Sequence, residues 1–246
     1  MLHGWGFDHR IWDNLAARLA HQHRVYQVDL PGHGRSLDWP SPWELHALAQ
    51  ALATRLPGPA LWLGWSLGGL LAQAVARYYP AQVRALALVA TTPRFVQSHD
   101  WPQALAPSVL DEFAARLEAD QAGTLQRFVS LQVSGSPSAR AQLRHVRQHL
   151  AEAPAPQPGA LAAGLALLKH GDMRHELAQI RCPAWLCLGA RDTLVPVGVL
   201  ADWQRLWPHT QAPLHTLCLS DAAHMPFLSH VDAFDHSLQS FLDDYF

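Results

Sequence analysis

The stretch "LWLGWSLGGLLAQAVARYYP", Leu61 to Pro80, decides the fold. An apolar run ends at a serine set among glycines, and a helical spacing begins at once. Gly64-Trp65-Ser66-Leu67-Gly68 fits G-x-S-x-G, the sharp strand-to-helix turn that lifts a serine hydroxyl out of a sheet. Glycines beside the serine let strand and helix pass without a side-chain clash. The helix that follows directs free N–H groups and the positive end of its dipole at the same point.

Outward from this turn the pattern alternates. Asp8 to Ala20 has helical apolar spacing through Ile11, Trp12, Leu15 and Leu19. "RVYQVDL" (Arg24 to Leu30) reads as a strand ending at the turn "PGHGRS". Pro42 to Leu56 reads as a helix with Ser41 as its N-cap. "ALWLGW" (Ala60 to Trp65) is a strand, Leu67 to Tyr79 a helix stopped by Pro80, and "VRALALVA" (Val83 to Ala90) a buried strand. From about Pro93 to Leu177 the spacing is helical, with proline-rich joints such as "APAPQP". Then come "AWLCLGA" (Ala184 to Ala190), a helix around Val199 to Leu206, "LHTLCL" (Leu214 to Leu219) and a last helix from Val231 to Asp243. Apolar strands alternating with helices imply an α/β fold, a mostly parallel sheet covered on both faces. The expected domains are a core of residues 1–92 and 178–246 and a helical lid of residues 93–177.

A serine hydroxyl needs a base near neutral pH, and the base needs an orienting acid. Ligands of open parallel sheets sit beyond the carboxyl ends of the strands. Asp192 follows "AWLCLGA" in "GARDTLVP", and His224 follows "LHTLCL" in "SDAAHMPF". The expected roles are Ser66 as nucleophile, His224 as general base and then acid, and Asp192 as the group that fixes the imidazole tautomer. Asp221 is a rival acid, read as a loop cap, and Asp29 is read as a hydrogen-bonding residue of its own turn. The oxyanion formed in acyl transfer needs donors. The N–H of Leu67 and the N–H of Trp5, between glycines in "HGWG", are the candidates.

Composition narrows the classes. The chain has 246 residues, 15% of them charged, and a net charge of −2, which exerts no global pull on nucleic acid or membrane. No apolar run approaches the roughly 18 residues of a membrane span. The start "MLHGWGFDHR" has no signal core, so a cytoplasmic location is expected. Three cysteines without C-x-x-C argue against a disulfide framework or a zinc site, and Cys187 and Cys218 read as core thiols. No metal or organic cofactor is expected, and a monomer is.

With these residues in place the chain resembles the α/β-hydrolase superfamily. Within it, the chain is similar to the family of pimeloyl-[acyl-carrier protein] methyl ester esterases of biotin synthesis. The marks are "LHGWG", "VDLPGHGRS", "WLGWSLGGL", "RFVSLQ", "LWPH" and "AAHMPFLSH". The resemblance implies hydrolysis of a methyl ester on a pimeloyl chain carried by acyl-carrier protein. It also implies substrate contacts at Trp5, Ser66, Leu67 and His224 and along Phe128, Val129, Ser130, Leu131 and Gln132. The residues themselves add a feature. Thr124 to Leu150 holds no Asp or Glu but has Arg127, Arg140, Arg144 and Arg147, the last three spaced to share one helix face. Such a face could dock an acidic carrier protein. Against the family pattern, only Met1 and Leu2 precede His3. The expectation is a truncated start that lacks N-terminal strands and loosens the oxyanion loop. Alternatives sharing the triad are a broad short-chain carboxylesterase or a carbon–carbon bond hydrolase. An alternative of another class is a non-catalytic binding protein on the same scaffold.

Overall fold

The computed structural model describes residues 1–37, 43–152, 154–207 and 212–246. The expected N-cap at Ser41 and helix start at Pro42 lie outside these residues, as do Ala153 of "APAPQP" and Pro208 and His209 of "LWPH". Among the described residues four parallel strands lie in the order β1 (Ala60–Trp65), β2 (Val83–Val89), β3 (Ala184–Gly189) and β4 (Leu214–Leu219). Helix α1 (Asp13–Leu19) and α2 (Leu45–Arg55) precede β1, and α3 (Leu67–Tyr78) joins β1 to β2. Four helices fill the interval before β3: α4 (Pro107–Ala119), α5 (Gln121–Val133), α6 (Ala139–Ala151) and α7 (Pro158–His170). Helix α8 (Val199–Leu206) links β3 to β4, and α9 (Pro226–Ser229) and α10 (Val231–Tyr245) close the chain.

The uniform apolarity of the central strands has a simple cause. Successive side chains enter two different cores. Leu86 and Leu88 of β2 join one cluster, and Ala85, Ala87 and Val89 join the other. In β3, Ala184, Leu186 and Leu188 face the first, with Trp185 and Cys187 facing the second. A sheet packed on both faces has no polar side, so alternation vanishes from its sequence. Helices α2 and α3 cover the first face. Helix α10 covers the second through Phe234, Leu238, Phe241 and Leu242, each worth about 1.5–3 kcal/mol of burial.

Several expectations need correction. The helix read from Asp8 to Ala20 is split into a 3-10 turn at His9–Trp12 and α1, with Asp8 accepting the Arg10 N–H as its cap. The strand read over Arg24 to Leu30 is reduced to a single parallel bridge at Val28. Cys218 is exposed, because β4 is the edge strand and its outward positions meet solvent. Leu2 bridges Val28 on one side and Gly64 of β1 on the other. The Leu2 N–H donates to the Leu63 carbonyl at 2.8 Å, and the Trp65 N–H donates to the Leu2 carbonyl at 3.1 Å. The entry to the "HGWG" loop is therefore tied to the sheet, contrary to the expected loosening. His3 adds a second tie. Its Nε2 accepts the Leu30 N–H at 2.9 Å, and its Nδ1 donates to the Gly4 carbonyl at 2.8 Å.

Candidate active site

Ser66 stands at the end of β1 with φ 54° and ψ −119°, a region that L-residues rarely occupy. The turn is possible because the backbone crowds where side chains would be. A Cβ on Gly64 would lie 2.3 Å from the Gly68 carbonyl oxygen. A Cβ on Gly68 would lie 2.5 Å from the Leu2 carbonyl oxygen. The glycines of G-x-S-x-G thus hold nucleophile strand, helix and oxyanion loop in contact.

Asp192 and His224 meet at the far end of the same sheet edge. His224 Nδ1 donates to Asp192 Oδ2 at 2.7 Å, and both side chains are almost wholly buried. The other carboxylate oxygen, Oδ1, accepts N–H groups from Leu194 at 2.8 Å and Val195 at 3.0 Å. These donors hold the carboxylate charge and orient it. With Nδ1 donating, a neutral imidazole presents an acceptor at Nε2, the form a general base needs. Nε2 is buried and has no hydrogen-bond partner among the described residues, and no bond joins it to the Ser66 hydroxyl. Catalytic hydrogen bonds often tighten only around substrate. Asp221, the rival acid, instead pairs with Arg191 at the surface, 2.6 Å away. Asp29 accepts the Arg35 N–H at 2.9 Å and the His9 N–H at 2.8 Å. Burial raises its pKa, but these bonds outweigh that and hold the carboxyl below its usual range.

Trp5 and Leu67 are neighbours. A Cβ on Gly164 of α7 would lie 2.7 Å from Trp5 Cδ1 and 3.4 Å from Leu67 Cδ2. The Trp5 indole N–H donates to the Leu161 carbonyl at 2.8 Å, so the remaining donor of Trp5 is its backbone N–H. Neither the Trp5 nor the Leu67 backbone N–H meets an acceptor among the described residues.

The residues of α5 divide. Phe128 packs edge-on against Trp5, with ring centroids 4.7 Å apart. The Gln132 carbonyl accepts the His224 N–H at 3.0 Å, and both polar atoms of its buried side chain lack partners among the described residues. Val129 is buried and faces a groove of ≈ 570 Å³ that Gly6, Leu125, Arg147 and Leu150 also line. Ser130 turns its hydroxyl to the Gln126 carbonyl, and Leu131 packs on the first core, so no contact places either at the triad. Arg140, Arg144 and Arg147 are exposed on α6, and Arg127 lies 3.7 Å from Glu112.

Sequence reading passed over two things. His145 and His149 stand four apart on α6, a spacing that suits a metal pair, but His145 is exposed and His149 turns toward Asp8 at 3.3 Å. Ligand atoms of Asp8, His9 and Asp29 lie within 4.8 Å of one another, yet Arg10 and His9 already satisfy the two carboxylates. Second, the Trp65 indole N–H donates to the His224 carbonyl at 2.9 Å. Only the unusual tryptophan before the serine could have hinted at that contact.

Residues 1–231 match the family model described as the alpha/beta hydrolase fold. The chain is 42% identical over 242 residues to a pimeloyl-[acyl-carrier protein] methyl ester esterase of Xanthomonas oryzae pv. oryzae, covering 98% of this chain and 93% of that one. It is equally identical to a protein of the same description from Stenotrophomonas maltophilia, covering 98% and 91%. An esterase from Exiguobacterium antarcticum shares the fold with a TM-score of 0.84 at 20% identity, covering 99% of this chain and 90% of that chain. A bromoperoxidase from Bacillus anthracis has the same TM-score at 18% identity, covering 98% and 90%. A fold shared by an esterase and a peroxidase leaves chemistry to the site. The match over 231 residues and the 42% identity along nearly the whole length place this chain in the α/β-hydrolase family.

Proposed function

We propose that the protein is a serine carboxylesterase that hydrolyses the methyl ester of pimeloyl-[acyl-carrier protein] methyl ester, releasing methanol in biotin synthesis. The observation that carries the chemistry is the buried Asp192–His224 pair, aligned at 2.7 Å, with the His224 carbonyl bonded to Trp65, the residue before the serine in an elbow at φ 54°. The substrate rests on the described relatives at 42% identity. In this reading His224 Nε2 takes the Ser66 proton as the hydroxyl attacks the ester carbonyl. The N–H groups of Trp5 and Leu67 receive the developing oxyanion. The imidazolium then protonates the departing methoxide. Water, deprotonated by the same nitrogen, attacks the acyl-enzyme and frees the carboxylate and Ser66. Asp192 stays ionised and stabilises the imidazolium throughout.

Helices α4 to α7 act as the lid of this reading. The groove beside Val129, lined by Gly6 and Phe7 next to the oxyanion loop and by Arg147 but by none of the triad residues, has the size for an acyl chain. Arg140, Arg144 and Arg147, with Arg127 nearby on α5, offer positive charge to an acidic carrier protein. Among the described residues no helix is long and apolar enough to cross a membrane. A cytoplasmic location, shared with the carrier, goes with the substrate.

The test is methanol release from purified protein and pimeloyl-carrier methyl ester, compared with p-nitrophenyl esters. Turnover of the carrier-bound ester at far higher kcat/KM supports the reading, with loss of both activities in Ser66→Ala. A preference for free short-chain esters would favour the broad carboxylesterase.

A further inference from the structure

The triad places no demand on the residue before the nucleophile, yet Trp65 is wholly buried at the centre of the site. Its ring touches three separate segments. Phe7 of the oxyanion loop lies at 5.0 Å between centroids, Phe227 of α9 at 5.4 Å, and the His224 ring at 5.6 Å. A Cβ on Gly4 would lie 2.9 Å from the indole, so the loop backbone itself lies against it. Its single donor goes to the carbonyl of His224 at 2.9 Å. On the other side, the His224 N–H donates to the Gln132 carbonyl, one of the last carbonyls of α5, which the helix itself leaves unpaired. The backbone of the histidine is therefore held at both ends, and its ring at Nδ1 by Asp192. Among the described residues nothing engages Nε2.

We propose that Trp65 is a positioning residue for the general base: its indole N–H fixes the carbonyl of His224 and so sets where the imidazole stands relative to Ser66. The inference rests on the triad reading above. Trp65 directly precedes the serine in the chain, so one rigid ring links the placement of nucleophile and base. Rotation of the His224 peptide would swing Nε2 away from the hydroxyl even with the Asp192 bond kept. Geometry of this kind acts on the chemical step rather than on substrate binding.

The molecule contains its own control. Trp12 is equally buried and lies in the same aromatic cluster, 6.4 Å from Trp65 and 4.5 Å from Phe227. Its Nε1 has no hydrogen-bond partner among the described residues. Removing the N–H at position 65 breaks a bond, and removing it at position 12 breaks none. The experiment replaces each tryptophan in turn by benzothienylalanine, which substitutes sulfur for N–H and keeps the ring shape, alongside Trp65→Phe and Trp12→Phe. kcat and KM are measured on p-nitrophenyl acetate, and Tm on each protein. The expected result is a roughly tenfold loss of kcat at position 65, with KM within about twofold, and no loss at position 12 at comparable Tm. Unchanged kcat in the position-65 isostere, or an equal loss at position 12, overturns the proposal. Ser66→Ala is assayed beside them. If it is inactive while the position-65 isostere is fully active, only the role of Trp65 falls. If it stays active, the triad reading falls and this inference with it.

Discussion

Asp192→Asn should abolish turnover while leaving the fold intact, and the structure says why the amide cannot adapt. The carboxylate Oδ1 receives two N–H groups, from Leu194 at 2.8 Å and Val195 at 3.0 Å, and Oδ2 receives Nδ1–H of His224 at 2.7 Å. An asparagine must place either its carbonyl or its NH2 at the Oδ1 position. With NH2 there, two backbone donors would face a third donor in a buried site, at about 1–3 kcal/mol for each group left unsatisfied. The carbonyl therefore takes that position and the NH2 points at His224 Nδ1. Nδ1 must then accept, which moves the imidazole proton to Nε2, the atom that has to receive the Ser66 proton. The same exchange in a serine protease triad lowers kcat about 10⁴-fold through the wrong tautomer. That corresponds to roughly 5 kcal/mol of lost transition-state stabilisation. The assay is steady-state hydrolysis of p-nitrophenyl butyrate at pH 7.5, with thermal unfolding as the check on structure. A folded variant within tenfold of wild-type kcat, or one altered in KM alone, would refute the reasoning.

Acid should destabilise the protein through His3. Burial, then the neighbouring His33, lowers its pKa from 6.5 to about 3. The unfolded chain takes up this proton first, so the contribution is complete above about pH 7 and is lost as pH falls from 6.5 toward 3, amounting to about 2 kcal/mol at pH 5. Urea unfolding at pH 7.5 and 5.0 should show a shallower pH dependence in His3→Gln, and equal slopes would contradict the assignment. In α7, Gly164→Ala presses a methyl onto Trp5 at 2.7 Å, whereas among the described residues nothing lies within 4 Å of a Cβ on Gly159. The first should cost about 1–3 kcal/mol and slow turnover, and Gly159→Ala should be neutral or slightly stabilising, as Tm and kcat together would report. Arg140→Glu with Arg144→Glu should lower kcat/KM for the carrier-bound ester about tenfold or more and spare p-nitrophenyl acetate. Equal loss on both substrates argues against docking on α6.

The parallel sheet was legible because its causes are local. Apolar runs such as "VRALALV" need no partner to be recognised, and a strand-to-helix turn with glycines beside Ser66 announces itself over five residues. Chain order then made Asp192 and His224 stand out, since each follows an apolar strand. Arg24 to Leu30 read as a strand for the same local reasons, but pairing is a property of neighbours, and only Val28 forms a bridge. Cys218 looked like Cys187 in sequence, and the edge position of β4 separated them. What the amino-acid sequence determined alone is the layered α/β architecture and the identity of a serine at a strained turn, because propensity and periodicity act within a few residues. Only tertiary structure decided that Asp192 meets His224 and that Gln132 and Trp65 grip the His224 backbone, because those bonds join groups whose distance in the chain carries no signal of their meeting in space.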